Sequence, residues 1–515
     1  MHWWNEFPDP AKPEIWAYAP RLTFSAGETV DLHVNASRAR FNVVVTLEAV
    51  ARHCIFDGVF DTGRWSETGE TCYADGCDWP VLASFRIPDD APAGAYRIKL
   101  ALEDNAPVHH LLVFVRSEPL ERKDRILLVA ATNTYAAYNN WGGASHYGGM
   151  GHDRLGPSHR LNARRPWARG IVWLPEGAPR IPDFTPTHES GVRYPHVDWA
   201  KSNGVYRYYA ASGWAHFERH FVVWAEANGF AVDVVCQSEL HEHPQCLNGY
   251  KVVACVGHDE YWTWEMRDAI DSFVDAGGNV VRLAGNFMWQ TRLNTDNGEQ
   301  TTYKYSAREH DPVYRSAHPA RTTTSWEARE VSRPGALTFG VNATRGMYAG
   351  FGGLAARGAR GFTVYRPDHW MFEGTWLGYG DLIGNEARCF GYEVDGLDYV
   401  IEGGLPRPSG LDPAPDGLEI VALGVSTSVE RGAPGDALGI GDEDGEFIAR
   451  LYTELYGPKK GGAAIRGCGA IVAFERGKGS VVTVGSCEWV AGLLRRDADV
   501  EQITRNMFRH AIDRI

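Results

Sequence analysis

The segment Val252-Val253-Ala254-Cys255-Val256-Gly257-His258-Asp259-Glu260-Tyr261-Trp262 constrains the fold most. Its apolar run, Val252 to Val256, has the continuous hydrophobicity of a buried strand, and it breaks at Gly257 into polar and aromatic side chains. The stretch from Thr263 to Ala276 follows with helical spacing, Met266, Ile270 and Phe273 falling on one face. His258 and Glu260 are therefore expected where a strand ends and a helix begins, the edge at which open α/β sheets bind ligands. The plainer reading is a helix start, with Thr263 or Asp259 as the N-cap and Glu260 in the first turn. Capping accounts for Asp259 but not for an imidazole and an acid together on one strand edge.

The periodicity divides the chain. From about Trp16 to Arg116 the pattern is that of strands, alternating at Thr29 to Val34 and rich in β-branched residues at Phe41 to Ala49, Arg97 to Leu102 and His110 to Val115. No helical pattern interrupts them, so residues 1–120 are expected to form an all-β immunoglobulin-like sandwich. Residues 121–515 alternate β and α. The runs Ile126 to Ala130, Ala231 to Val235, Val252 to Val256 and Asn279 to Leu283 are separated by helical patterns at Ala215 to Asn228 and Thr263 to Ala276, which suggests a doubly wound parallel sheet. Ala470 to Phe474 and Ser480 to Val484 bracket Arg476-Gly477-Lys478-Gly479 as a hairpin, and Asp499 to Asp513 closes the fold as a helix. Residues 139–212 are rich in Gly, Pro, Trp and Tyr and have little periodicity. A loop of that length with that aromatic content is expected to be an ordered flap over the sheet edge.

Four breaks combine glycine with polar groups near apolar sequence: Thr132 to Gly143, His258-Asp259-Glu260, Gly285 to Trp289, and Phe390 to Gly396. Aligned at one edge they predict a pocket of tyrosines, carboxylates, an amide and one histidine. It holds no Gly-x-Ser-x-Gly elbow, and Cys255 lies inside a strand, so a covalent serine or cysteine hydrolase is disfavoured. Carboxylate with phenolate suits a hard cation such as Fe(III), which polarises carbonyls and acidifies water.

The net charge of −14 and the absence of a basic stripe argue against nucleic acid and anionic membrane surfaces as partners. No apolar run approaches the length of a bilayer span, and the first residues lack the pattern of a signal peptide. Nine cysteines without CxxC spacing point to buried thiols in a reducing cytoplasm, although Cys72 and Cys77 flank a turn and could pair.

Several of these segments resemble the large subunit of N,N-dimethylformamidase. They are Thr134-Tyr135-Ala136-Ala137-Tyr138-Asn139-Asn140-Trp141-Gly142-Gly143, Gly257 to Trp262, His369-Trp370-Met371-Phe372-Glu373-Gly374-Thr375, Gly391-Tyr392-Glu393-Val394-Asp395, Gly485-Ser486-Cys487-Glu488-Trp489-Val490 and Ile503-Thr504-Arg505-Asn506. The resemblance implies a glutamine-amidotransferase-like sheet in the α/β domain and hydrolysis of small N-substituted formamides at a mononuclear iron held by two tyrosines and a glutamate. Carried over, Tyr138 and Glu260 are ligands. Tyr194 is the choice for the second tyrosine, with Tyr147 and the Tyr206 to Tyr209 cluster as rivals. Trp167 stands where relatives carry a tyrosine after Arg-Pro. His258 resembles a histidine behind the ligands, Asn286 an amide that touches substrate and the oxyanion, Lys304 a further pocket residue and Glu393 a proton shuttle. Trp141, Phe287 and Trp289 are expected as an apolar wall. The chain is shorter than that subunit, which implies that it acts alone, as a homo-oligomer or on another substrate; a homo-oligomer is the expectation, with a small accessory subunit as a further partner. A non-catalytic binding protein and an iron oxygenase are the competing readings, the latter lacking a second histidine.

Overall fold

The computed structural model describes residues 6–514 apart from 104–106, 118–121, 153, 155, 181–194, 207, 347–359, 392, 428–441 and 459–465. The chain forms two compact units. One comprises Met1–Arg180, His196–Gly249 and Arg292–Thr301; the other comprises Ile181–Pro195, Tyr250–Thr291 and Thr302–Ile515.

The first unit opens with two sheets. Ile15–Tyr18, Thr29–Ala36 and Val81–Arg86 pair antiparallel. A second sheet orders Thr23–Phe24, Val108–Val115, Gly94–Leu102, Phe41–Leu47 and Cys54–Phe60. Alternation sets the faces: Val30, Leu32 and Val34 are buried while Thr29 and Asp31 are exposed, and Phe41, Val43 and Val45 are fully buried. The expectation of uninterrupted β structure fails at one point. Cys72–Asp75 forms a short helix that buries Cys72 and Ala74 and ends at Gly76, whose φ of +84° and N–H bond to the Cys72 carbonyl close the turn. Cys72 and Cys77 are both free thiols.

The same unit holds the parallel pair Arg125–Ala130 and Ala231–Cys236. The helix Glu218–Ala227 precedes the latter strand and buries Phe221, Val222, Trp224 and Ala225. Where it is described, the aperiodic segment 139–212 is held by side chain to backbone bonds. Buried Arg165 donates to the carbonyl oxygens of Asn139 (2.8 Å), Asn162 (3.0 Å), Ala144 (3.2 Å) and Trp141. One guanidinium thus satisfies three loop carbonyls and that of Asn162 at a strand end.

In the second unit Val252–His258, Asn279–Gly285 and Gly479–Gly485 run parallel. Arg466–Arg476, Glu419–Thr427, Phe362–Val364 and Leu382–Ile383 then continue the sheet antiparallel. The sheet is mixed rather than parallel throughout, because the turn at Gly477 (φ +57°) returns the chain directly without a crossover helix. Thr263, not Asp259, caps the helix Trp264–Asp275, its hydroxyl accepting from the Met266 N–H at 3.2 Å. Met266, Ile270 and Val274 face the sheet, with Phe273 only half-buried. The helix Ala498–Asp513, capped by Asp497, buries Val500, Ile503, Met507 and Phe508. Among the described residues no helix is long and apolar enough to cross a membrane.

Four buried or half-buried histidines of the first unit, His109, His110, His216 and His220, carry a pH dependence, His109 and His216 being the most deeply buried. Burial lowers His109 to about 4 and His216 to about 3. Unfolded, each would titrate near 6.5, so the unfolded chain binds more protons as pH falls below that value. Stability is therefore expected to be intact above pH 6.5 and to fall toward pH 4 by up to about 1.4 kcal/mol per pH unit for each group. In the second unit, burial raises Asp259 to about 6 and Glu327 to about 7, which acts in the opposite sense. Urea unfolding followed by first-unit tryptophan fluorescence checks this; a midpoint that stays constant from pH 6.5 to 4.5 would overturn it.

Candidate functional site

Three pieces of backbone build the site in the second unit. The strand Val252–His258 ends on His258, which pairs in register with Gly285 of the neighbouring strand. Asn286 and Phe287 follow Gly285. The third piece, residues 393–396, is not a strand end as expected. It is irregular backbone, tied down by single bridges from Val394 to Ser486 and from Gly396 to Asn342. Gly285 is required where these pieces meet, since a Cβ there would collide with the Glu393 carbonyl and the Cys487 nitrogen.

The side chains converge. His258 Nε2 lies 2.7 Å from Glu393 Oε2 and 3.3 Å from Glu260 Oε2. Asn286 Nδ2 donates to Glu393 Oε2 at 2.5 Å and lies 3.1 Å from His258 Nε2. All four residues are buried. Burial by itself would lower the His258 pKa, but the facing carboxylates of Glu393 and Glu260 outweigh it and hold the imidazole well above its ordinary value. Burial raises Glu393, with the imidazolium opposing. The arrangement is a buried acid–imidazole pair with a second carboxylate in reach, able to hold and return a proton.

Glu260 is oriented from behind. The Trp289 indole N–H donates to Oε1 at 2.7 Å and the Trp289 amide donates to the Glu260 carbonyl at 3.0 Å. Lys304 is buried beside this indole, its Nζ 5.6 Å from the Trp289 ring centroid and 5.5 Å from that of Tyr305.

A charged layer supports the site. Asp395 accepts from the Asn286 N–H at 2.7 Å and the Phe287 N–H at 3.2 Å, and pairs with Arg282 at 2.7 Å. Both Asp395 and Arg282 are fully buried. Arg282 was detectable in sequence as a lone charge within Val280-Val281-Arg282-Leu283, and Asp395 as the acid after Glu393. Cys487 also lies here, its sulfur, His258 and a Glu393 oxygen offering ligand atoms within 4.8 Å of one another. Burial, reinforced by nearby carboxylates, pushes its thiol well up, so it stays protonated.

His258, Glu260, Asn286 and Glu393 are thus brought together, with Lys304 one ring away. Tyr138 belongs to the first unit. It ends the helix Thr132–Tyr138 and is buried, with Tyr147 stacked on it at 4.1 Å and Tyr208 edge-on at 6.2 Å. Tyr206, edge-on to Tyr208, shares a hydroxyl contact with Ser145 at 3.3 Å. Tyr194 lies outside the described residues. Trp167 packs edge-on against Tyr135.

Two members of the expected apolar wall are used elsewhere. Trp141 packs on Trp16 and Trp79 in the β-rich part of the first unit. Phe287 is core, stacked on Trp326 and edge-on to Trp262 and Phe339. Trp289 alone of the three is bonded to a site residue.

The chain is 25% identical to the N,N-dimethylformamidase beta subunit of Alcaligenes sp over 362 residues, 64% of this chain and 44% of that protein. It is likewise 25% identical to the N,N-dimethylformamidase beta subunit of Paracoccus aminophilus over 358 residues, 64% of this chain and 43% of the relative. It therefore spans less than half the length of either, and both are named as the beta subunit, whereas the motif resemblance names the large one. Among solved structures, the chitinase ChiW of Paenibacillus sp. str. FPU-7 matches 52% of this chain and 20% of its own at 10% identity, with a TM-score of 0.16, too low to carry an argument. The family model described as N,N-dimethylformamidase beta subunit-like, C-terminal, matches residues 62–502, and the chain belongs to that family.

Proposed function

We propose that this chain is an amidohydrolase that cleaves the C–N bond of small N-substituted formamides. The observation that carries the reading is the buried Glu393–His258–Glu260 constellation, in a family that contains dimethylformamidase subunits. Amide hydrolysis needs a proton taken from water and a proton given to the leaving amine, since an unprotonated amide nitrogen leaves poorly. The 2.7 Å pair of His258 and Glu393 can do both in turn. Asn286 holds the Glu393 carboxylate toward the imidazole, and Lys304 contributes a positive charge beside Trp289.

Glu260 has the chemistry of a ligand to a hard cation. One oxygen is pinned by the Trp289 indole, as outer donors orient metal-bound carboxylates, and the other lies 3.3 Å from His258 Nε2. The proposed cofactor is Fe(III), with Glu260 as its ligand from this constellation and tyrosines as the resemblance implies. When bound, the metal would polarise the amide carbonyl and acidify water. The proposal includes a glutamine-amidotransferase-like core, an immunoglobulin-like N-terminal sandwich and a cytoplasmic location, the last supported by nine free cysteines. It also includes assembly as a homo-oligomer or with an accessory subunit, supported by relatives that are themselves subunits.

Metal analysis with a visible spectrum tests the ligand set. The wild type is expected to carry about one iron per chain and a tyrosinate-to-Fe(III) band, as the open site of a metal hydrolase requires. Glu260→Ala is expected to lose the metal, the band and formamide hydrolysis together. Full iron content in that variant would show the ligand assignment to be wrong.

A further inference from the structure

Asn286 is held in a way that leaves one end of its amide available. Its backbone sits at φ 62°, the left-handed region that disfavours residues with a Cβ. Asp395 offsets that strain by accepting from the Asn286 and Phe287 N–H groups. The donor end of the amide, Nδ2, is turned toward Glu393 and His258. Turning the amide over would give up this 2.5 Å hydrogen bond and set a carbonyl oxygen against the ionised Glu393 carboxylate. Oδ1 is consequently turned away from the acid–imidazole pair. It is buried, and among the described residues it has no hydrogen-bond partner. Asn286 therefore does not serve as the oxyanion donor expected of it; it presents an acceptor.

An acceptor buried without a donor is costly, and a ligand that brings a donor recovers that cost. Formamides differ in this one respect. Formamide and N-methylformamide carry an N–H, while N,N-dimethylformamide carries methyl groups in its place. We infer that Asn286 Oδ1 is a specificity determinant that accepts the N–H of the substrate, so that this chain prefers formamides retaining an N–H over N,N-disubstituted ones. The inference rests on the amide-hydrolase reading. The reaction is unchanged by it: water adds to the carbonyl, the C–N bond breaks, and the amine leaves with the proton. Asn286 binds and exchanges no proton.

N-methylformamide and N,N-dimethylformamide are to be compared by ligand-observed NMR for binding and by formate release for hydrolysis. N-methylformamide is expected to be favoured by about tenfold or more in both. Asn286→Gly is the informative variant, because glycine accepts the left-handed backbone and the chain should fold. Its overall activity is expected to fall and the preference to shrink toward unity. Equal or better use of the dimethyl compound by the wild type overturns the inference, as does a preference unchanged in Asn286→Gly, which would place a water rather than substrate on Oδ1. A binding preference without turnover keeps the inference and removes the hydrolase reading; turnover without preference does the reverse.

Discussion

Replacing Glu393 with glutamine is expected to lower kcat for formamide hydrolysis by about 10²- to 10⁴-fold, the range that a positioned general acid–base supplies. Glutamine keeps the size of the side chain and an oxygen that can face His258 or Asn286. It cannot hold the negative charge that raises the imidazole, nor carry a proton to the amine. The loss should fall on kcat more than on KM, because binding groups are left in place. Circular dichroism and a urea midpoint near wild type would show that the fold has survived. An activity within about threefold of wild type would remove Glu393 from the proton path.

The second large effect concerns stability. Asp395→Ala is expected to cost about 3–5 kcal/mol, the range for removing one partner of a buried ion pair. Arg282 would be left charged and fully buried, and among the described residues its Nε and second Nη already lack hydrogen-bond partners. The amides of Asn286 and Phe287 would lose their acceptor as well. The double variant Arg282→Met with Asp395→Ala should recover part of the loss, since removing both charges removes the uncompensated one. Urea unfolding of the single and double variants measures the coupling; a single variant within about 1 kcal/mol of wild type would contradict the account.

How far the sequence carried follows from what each residue depends on. The strand into His258 and the helix after Thr263 were readable because apolar periodicity and a cap are local properties. Most strands of the first 120 residues were readable from alternation, whereas the Cys72–Asp75 turn depends on what its two small residues bury against. His258, Glu260, Asn286 and Glu393 were singled out from strand ends and motif resemblance, and the second unit brings them within hydrogen-bonding distance. Arg282 shows in sequence only as a lone charge in an apolar run, because its role exists only once Asp395 arrives from more than a hundred residues away. Trp141 and Phe287 were read as pocket walls because an aromatic residue beside a motif looks the same whether it packs inward or lines a cavity. The direction of the Asn286 amide has no sequence signal at all.

Gly285 ties proton geometry to the main chain. The Glu393 carbonyl and the Cys487 nitrogen rest against its Cα, with their mutual hydrogen bond at 3.0 Å. The separation of imidazole and acid is thereby dictated by how closely two backbones approach rather than by the bulk of any side chain. Such a joint lets the lining of a pocket drift freely through substitution while the reacting pair stays in place. The same joint gives any residue larger than glycine a single route to damage: it pushes the pair apart. Variation in substrate choice and conservation of proton chemistry can then proceed independently, and a directed-evolution library that spares position 285 should retain catalysis across wide changes in the surrounding wall.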